Sequence, residues 1–456
     1  MYHAESFAAM GWETYIVGYK GAKLIPSLLQ VPHVRELYLP QPPAFIANLP
    51  RLLFLLWAPY KILFQALTVL STLLGELPYA PEFILVQNPP SIPTLALVQL
   101  CARLTGSKLV IDWHNLGYSI LALRLGASNP VVGLAKMFEK TFGRKAYAHL
   151  FVTHAMKGVL VRDWKLLGIK AVLHDRPPSH FHACEPTEIH DLFSRLDLRP
   201  AGEDFLPPSS PPLSTPFTRL RDLPPSSLSP AFAATLPDRR EDRPALVVSS
   251  TSWTADEDFA VLLNAMAFYE KRARAVNSPP KENPQKGDKH DRLPKMLVIV
   301  TGKGPLREKF TQDIDECQKL WQWVRCVPMW LEAADYPLLL GSADLGVSLH
   351  LSSSKLDLPM KIVDMFGCGL PVCALGFDCL SELVGEGNGR VFKDAGGLAA
   401  ECETVLKGFP HAPELEKLKQ GLVLQKSPTA GEKWNTWAEE WDRVVKPIVT
   451  HRPGVE

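Results

Sequence analysis

Several absences narrow the field before any motif is considered. The chain has no surplus of one charge, with 49 Lys and Arg against 48 Asp and Glu. No global field therefore recruits nucleic acid. Its eight cysteines, Cys101, Cys184, Cys317, Cys326, Cys368, Cys373, Cys379 and Cys402, include no CxxC pair. Several lie in apolar runs such as Cys368-Gly-Leu-Pro-Val-Cys373, where the thiol serves as a small hydrophobe. That usage fits a reducing compartment better than a disulfide framework. No Cys/His cluster has the ligand spacing of a structural zinc site, and no Asp-x-Asp pair stands out as a metal clamp. The expectation is that no metal and no cofactor is required, although the sequence does not forbid a divalent ion. The opening Met-Tyr-His-Ala-Glu-Ser leads into no apolar h-region, so no signal peptide is expected.

What is present is material for two cores. A chain of 456 residues with 46% apolar content exceeds one ordinary domain. Short β-branched runs at Thr14–Val17, Phe83–Val86 and Lys108–Asp112 alternate with helical stretches over about 92–105 and from Asn129-Pro130, a cap followed by proline. The alternation resumes with Ala245–Ser249, a helix over about 256–272, Met296–Thr301, Leu345–Leu349 and a helix over about 360–367. Strands separated by helices predict parallel sheets with crossovers. The fold class expected is α/β, two Rossmann-like domains with a cleft between them. The domains are 1–190, a disordered Pro/Ser-rich insertion at 197–243, 244–430, and a C-terminal helix and tail at 431–456. A polar stretch, Lys271–Lys295, reads as a surface loop. Trp434, Trp437 and Trp441, spaced by three and four, read as one face of a helix over about 430–446.

In open parallel sheets ligands gather at the carboxyl ends of strands. Val300-Thr301-Gly302-Lys303-Gly304-Pro305 follows such a strand. Its glycines allow close approach to a ligand, and Lys303 could meet a phosphate; a tight strand-to-helix turn explains the same residues. The run from Ser352 to Val372 offers more: a polar loop, a helix beginning near Pro359, and a glycine turn into a strand. A helix N-terminus suits a diphosphate, Lys361 lies in its first turn, and Asp364 is placed to accept hydrogen bonds from a ribose or sugar hydroxyl. The alternative is a surface ion pair of Lys361 with Asp357 or Asp364.

The Pro-x-Lys-x-x-Asp-x-x-Gly-x-Gly-x-Pro-Val pattern at 359–372 resembles the donor-nucleotide motif of GT-B glycosyltransferases, in which an acid at the position of Asp364 binds the ribose. Those families often carry two glutamates eight positions apart; here the upstream position is Leu356 and the nearest acid is Asp357. The runs Val86–Pro90, Leu109–Asn115, Ser249–Thr254, Gly302–Arg307 and Tyr336–Val347 narrow the resemblance to the chitobiosyldiphosphodolichol β-mannosyltransferase family. The resemblance implies GDP-mannose as donor and dolichol-linked chitobiose as acceptor. It also implies a β-1,4 product, an early place in lipid-linked oligosaccharide synthesis for N-glycosylation, and the cytoplasmic face of the endoplasmic reticulum membrane. Other lipid-linked-oligosaccharide mannosyltransferases are further partners to expect. Two competing readings are a GT-B transferase with another acceptor and a non-catalytic scaffold subunit. An α-linked donor and a β-linked product mean inversion, hence one displacement with a general base in the acceptor half. Asp112-Trp113-His114-Asn115 supplies the candidates: His114 as base with Asp112 orienting it, or Asp112 itself. The alternative is that both only tie down their loop.

Two features point to a membrane. Leu52–Leu74 holds one charge, Lys61, and is long enough to span a bilayer, but Pro59 interrupts it and strands of one domain flank it. It reads as a helical hairpin or interfacial segment, with a buried core helix as the alternative. Lys136, Lys140 and Arg144 form a basic stripe suited to anionic lipid or a diphosphate, or simply a solvated face. Residues 2–11 read as the helix that normally follows a Rossmann domain's first strand. The expectation is that upstream coding sequence supplies that strand, and that the chain as written is poorly soluble and inactive.

Overall fold

Continuous Val/Ile/Leu runs form strands buried on both faces, the signature of parallel sheets, and two such sheet systems organise the chain. The structure is a computed structural model describing residues 1–21, 24–25, 28–29, 31–41, 51–202, 204–220, 236–254, 257–278, 292–425 and 434–451, with 51–59 as backbone only. It divides into unit 1 (Met1–His174, Ser353–Asp357 and Trp437–Glu456) and unit 2 (Asp175–Ser352 and Leu358–Thr436).

Unit 1 opens with α1 (Tyr2–Ala9). Strands β1 (Thr14–Tyr19) and β2 (Val34–Leu39) then form a two-stranded parallel sheet. Helix α2 (Arg51–Ser71) precedes β3 (Phe83–Asn88), α3 (Thr94–Thr105), β4 (Lys108–Trp113), α4 (Gly117–Leu125) and α5 (Pro130–Gly143). Strand β5 (Lys145–Phe151), α6 (His154–Trp164) and β6 (Leu167–Val172) follow, and β3 to β6 pair in chain order as a four-stranded parallel sheet. The Asn129 side chain accepts the Val131 N–H at 2.9 Å and starts α5. At its other end a Cβ on Gly143 would stand 2.5 Å from the Trp113 ring. Glycine therefore lets α5 lie flush on the strand that ends in Asp112 and Trp113.

Unit 2 begins with α7 (Pro186–Arg195) and the antiparallel pair β7 (Thr218–Leu220) and β8 (Pro237–Arg239). Its main sheet is built from β9 (Ala245–Ser250), α8 (Phe259–Asn277), β10 (Met296–Thr301), α9 (Arg307–Gln318), β11 (Val324–Met329) and α10 (Asp335–Ser342). It continues with β12 (Leu345–Ser348), α11 (Met360–Gly367), β13 (Val372–Leu375), β14 (Gly389–Phe392), α12 (Ala395–Leu406) and α13 (Pro413–Gln425). The order β11-β10-β9-β12-β13-β14 is all parallel. That is the doubly wound arrangement, with its reversal between β9 and β12. Helix α14 (Trp437–Thr450) belongs to unit 1 again.

The structure corrects several boundaries. The first stretch of unit 1 ends at His174 rather than near 190, so α7 belongs to unit 2. The stretch 197–243 is not all outside a core: Leu198, Ala201, Phe205 and Phe217 are buried with β-sheet residues of unit 2, because a few large apolar side chains suffice to anchor Pro-rich backbone. Residues 221–235 of that stretch lie outside the described residues. Helix α8 continues through Asn277, so the polar stretch from 271 begins as helix; 279–291 lie outside the described residues. The three tryptophans do not share a helix. Trp434 precedes α14 and meets Phe366 edge to face in unit 2, whereas Trp437 and Trp441 pack in unit 1. Nor is 52–74 a hairpin, since α2 runs through Pro59 as one helix into a short π-helical turn at Thr72–Glu76. Among the described residues no helix is long and apolar enough to cross a membrane.

Candidate functional site

Unit 2 places its candidates at the reversal of strand order. Strand β9 ends in Ser250, whose Oγ accepts the Tyr336 hydroxyl at 3.1 Å. Strand β12 ends in Ser348, whose buried Oγ has no hydrogen-bond partner among the described residues. The loop after β9 is met by the turn after β10. A Cβ on Gly302 would stand 1.8 Å from the Thr251 carbonyl oxygen, and one on Gly304 would stand 1.9 Å from that of Ser252. Gly302 also has φ +146°, a conformation only glycine adopts easily. The two glycines thus serve a backbone-on-backbone contact, sealed by the Trp253 indole N–H donating to the Gly302 carbonyl at 3.1 Å. Between them the Lys303 ammonium lies over the Trp330 ring, 3.7 Å from its centre, a cation–π contact.

Helix α11 carries Lys361 and Asp364. Its N-cap is Pro359, with no side-chain cap, so its first turn offers N–H groups to an anion. Lys361 is ion-paired with the buried Glu257, not with Asp357 or Asp364 as the sequence alternative had it. Glu257 also accepts the Thr251 hydroxyl and the Ser252 N–H. One carboxylate therefore ties α11 to the loop held by Gly302 and Gly304. Burial, together with the nearby Asp175 carboxylate, pushes the Asp364 carboxyl up to about 7. At neutral pH it can donate or accept a hydrogen bond to a sugar hydroxyl.

Unit 1 holds the other pair. Asp112, 2% exposed, is the penultimate residue of β4, and its Oδ2 accepts from His114 Nε2 at 2.7 Å. The same oxygen accepts from His3 Nε2 at 3.1 Å. The Trp441 indole N–H donates to His3 Nδ1 at 3.0 Å, which fixes His3 as the tautomer with its proton on Nε2. Burial by itself would raise the Asp112 carboxyl, but the imidazoles of His114 and His3 outweigh it and hold it well below the usual carboxylate range. An ionised Asp112 makes His114 Nε2 the donor, leaving the neutral ring's lone pair on Nδ1. The loop beyond is braced by Glu139, fully buried. Glu139 accepts the N–H groups of Gly117 and Tyr118 at 2.9 and 3.1 Å and the Asn88 amide at 2.6 Å.

Asp112 and His114 come together, as do Gly302, Lys303, Gly304 and Lys361 through Glu257. Asp357 is grouped with unit 1 and accepts the Ser354 hydroxyl at 2.7 Å. His3, Glu257 and Glu139 were not read from sequence. Glu257 lies three residues beyond the Ser249–Thr254 run, close enough for that run to have pointed to it. His3 is 109 positions from Asp112 and carries no comparable signal.

No family model matches the chain. A mouse protein named chitobiosyldiphosphodolichol beta-mannosyltransferase is 41% identical over 453 residues, covering 99% of this chain and 86% of its own length. The Arabidopsis thaliana protein named UDP-glycosyltransferase TURAN is 40% identical, over 98% of this chain and 93% of its own. Among solved structures, a sucrose-phosphate synthase from Thermosynechococcus elongatus superposes with a TM-score of 0.60 at 13% identity, covering 96% of this chain and 90% of that one. The last likeness shows the fold, GT-B. The chain belongs to the chitobiosyldiphosphodolichol beta-mannosyltransferases, a family of GT-B glycosyltransferases.

Proposed function

We propose that the chain transfers mannose from GDP-mannose to the chitobiose of a diphosphodolichol acceptor, in a β-1,4 linkage with inversion. The observation that carries this reading is the cluster at the strand-order reversal of unit 2, where Lys361, Glu257 and Asp364 stand beside the open first turn of α11. The diphosphate takes the N–H groups of that turn and the Lys361 ammonium, which Glu257 holds in place until a stronger anion arrives. Asp364 meets a ribose hydroxyl, and Lys303 adds a second positive charge near the leaving group. In unit 1 His114 takes the acceptor hydroxyl's proton on Nδ1 as the glycosidic bond forms, and Asp112 stabilises the resulting imidazolium. His3 keeps Asp112 ionised and oriented.

A lipid acceptor requires access to a bilayer surface, and the exposed side chains of unit 1 support it. Tyr60, Ile62, Leu63 and Leu67 on α2, and Val131, Leu134 and Met137 on α5, are exposed, beside the basic residues Lys136 and Lys140. Apolar and basic side chains on two helices that both pack on α3 suit the anionic cytoplasmic leaflet of the endoplasmic reticulum. The other mannosyltransferases that extend the same lipid-linked oligosaccharide are the partners this placement favours. The name of the Arabidopsis relative favours a second donor reading, a UDP-sugar.

The deciding assay offers GDP-mannose or UDP-sugars with phytanyl-linked chitobiose, and identifies the product linkage by β-mannosidase digestion. A β-mannosidase-sensitive product from GDP-mannose alone is expected. Product only from a UDP-sugar would overturn the donor reading, and transfer only to water-soluble acceptors would overturn the lipid one.

A further inference from the structure

Outside both sites, one cluster in unit 2 is arranged as a cation site. His182, Cys184 and Glu188 each offer one ligand atom, all within 4.8 Å of one another. Each also has a separate partner that orients it. His182 Nδ1 stands 3.1 Å from the His180 carbonyl oxygen. Glu188 Oε2 accepts the Glu185 N–H at 2.9 Å, closing the first turn of α7. Cys184 lies against α10, its N–H donating to the Gly341 carbonyl at 3.0 Å and its thiol 3.5 Å from the Leu338 carbonyl. Gly341 is what permits this seat, because a Cβ there would stand 2.6 Å from Cys184 Sγ and 2.3 Å from the His182 carbonyl oxygen.

The remaining His182 nitrogen is informative. Nε2 stands 2.9 Å from Glu188 Oε1, so both ring nitrogens face acceptors. A neutral imidazole has one N–H and can satisfy only one of them. The second contact needs either another proton or a cation between nitrogen and carboxylate. With Nδ1–H kept on the His180 carbonyl, a cation that displaces the Nε2 proton would find that nitrogen's lone pair aimed at it, the arrangement of metal-bound histidines.

We propose that His182 Nε2, Cys184 Sγ and Glu188 Oε1 bind one zinc ion, with water in a fourth position. Nitrogen, thiolate and carboxylate together suit zinc better than calcium or magnesium, which take oxygen. Tetrahedral bonds of about 2.0 Å to nitrogen and oxygen and about 2.3 Å to sulfur put ligand atoms about 3.3–3.5 Å apart. The half-exposed His182 side chain can make that adjustment by rotation. Binding releases the Cys184 thiol proton and any second proton on His182. The ion ties the segment that carries His182 and Cys184 to the first turn of α7, a role in unit 2 that does not depend on the transfer chemistry proposed above.

The test uses the purified full chain, stripped with a chelator and titrated with Co(II), then Zn(II). One equivalent of Co(II) should give a near-ultraviolet thiolate-to-cobalt band that Zn(II) abolishes. Cys184→Ser should remove the band, and His182→Ala should weaken zinc binding at least about a hundredfold, beyond the usual cost of losing an outer partner. Glu188→Gln, which retains an oxygen to cap α7, should weaken zinc binding while the zinc-free melting temperature stays unchanged. Absence of the band, its survival in Cys184→Ser, or unchanged zinc affinity in His182→Ala and Glu188→Gln would each overturn the proposal.

Discussion

Asp112 in unit 1 and Asp364 in unit 2 are both largely buried aspartates near the carboxyl ends of parallel strands, yet their surroundings push them in opposite directions. Asp112 receives two imidazole donors on one oxygen and stays charged. Asp364 has burial and the Asp175 carboxylate against its charge, and its carboxyl is pushed up to about 7. Burial alone therefore does not set the charge of a carboxyl; the sign of its neighbours does. A permanently ionised Asp112 is a weak proton acceptor but a good partner for a cationic ring, which assigns the base to His114. A carboxyl that titrates near neutrality suits exchange of hydrogen bonds with a hydroxyl.

The contrast can be broken most severely at His114. His114→Ala should lower turnover by about 10²–10⁴, the usual worth of a positioned base, with donor affinity unchanged in a nucleotide-binding titration. Asp112→Asn abolishing turnover while His114→Ala leaves it near wild type would move the base to Asp112.

Asp364→Asn should weaken donor binding by about 10- to 100-fold, the equivalent of about 1.5–3 kcal/mol for a charge-assisted contact. The same change should stabilise the unliganded chain at pH 8. Asp364 has a folded value raised above its ordinary 3.8. Its contribution to stability is fully present below about pH 4 and lost as pH rises through about 7. Melting curves from pH 4 to 8 should therefore fall more steeply for wild type than for Asp364→Asn; parallel curves would contradict the environment described for Asp364. Asp112 has the opposite sign, its contribution being present above about pH 4 and lost on acidification.

His3→Ala removes one donor from Asp112 and should cost turnover about tenfold, equivalent to about 1.5 kcal/mol for one hydrogen bond to a charged group. Activity profiles against pH should shift with it, and a change in melting temperature alone would make His3 merely structural. Smallest of all, Glu257→Gln should change donor affinity by about threefold, since it keeps the Thr251 contact and removes only the charge attraction to Lys361, whose own end of the pair is partly exposed. Binding isotherms over a salt series measure it.

The same contrast shows what sequence can carry. Asp112-Trp113-His114 and the Lys361/Asp364 helix were legible because each is a short run whose strand or helix context fixes its geometry. The alternating apolar runs likewise indicated two parallel sheets. His3 was not legible, because its place beside Asp112 depends on α1 and α14 packing together, a contact between residues 438 positions apart. Glu257 looked like an ordinary acidic residue near a helix start until folding brought Lys361 to it. The Pro/Ser-rich composition of 197–243 hides Leu198, Ala201, Phe205 and Phe217, whose apolar side chains draw the backbone that carries them onto unit 2. Pro59 was read as a break, yet the backbone of α2 passes through it as helix.

Helix α14 has a consequence for how the chain is made. Trp441, Val445, Ile448 and Val449 complete a core with Phe7, Val110, Leu150 and Leu173. On the ribosome, the residues of β4 to β6 emerge long before α14 exists, and domains tend to fold as they emerge. Unit 1 must wait through the synthesis of all of unit 2 with that apolar face uncovered and His3 lacking its indole donor. Unit 2, whose main sheet and covering helices are contiguous from 245 to 425, can close first. The order of synthesis and the order of completion are therefore reversed, and the interval between them is when unit 1 most needs a chaperone or a membrane surface to cover it.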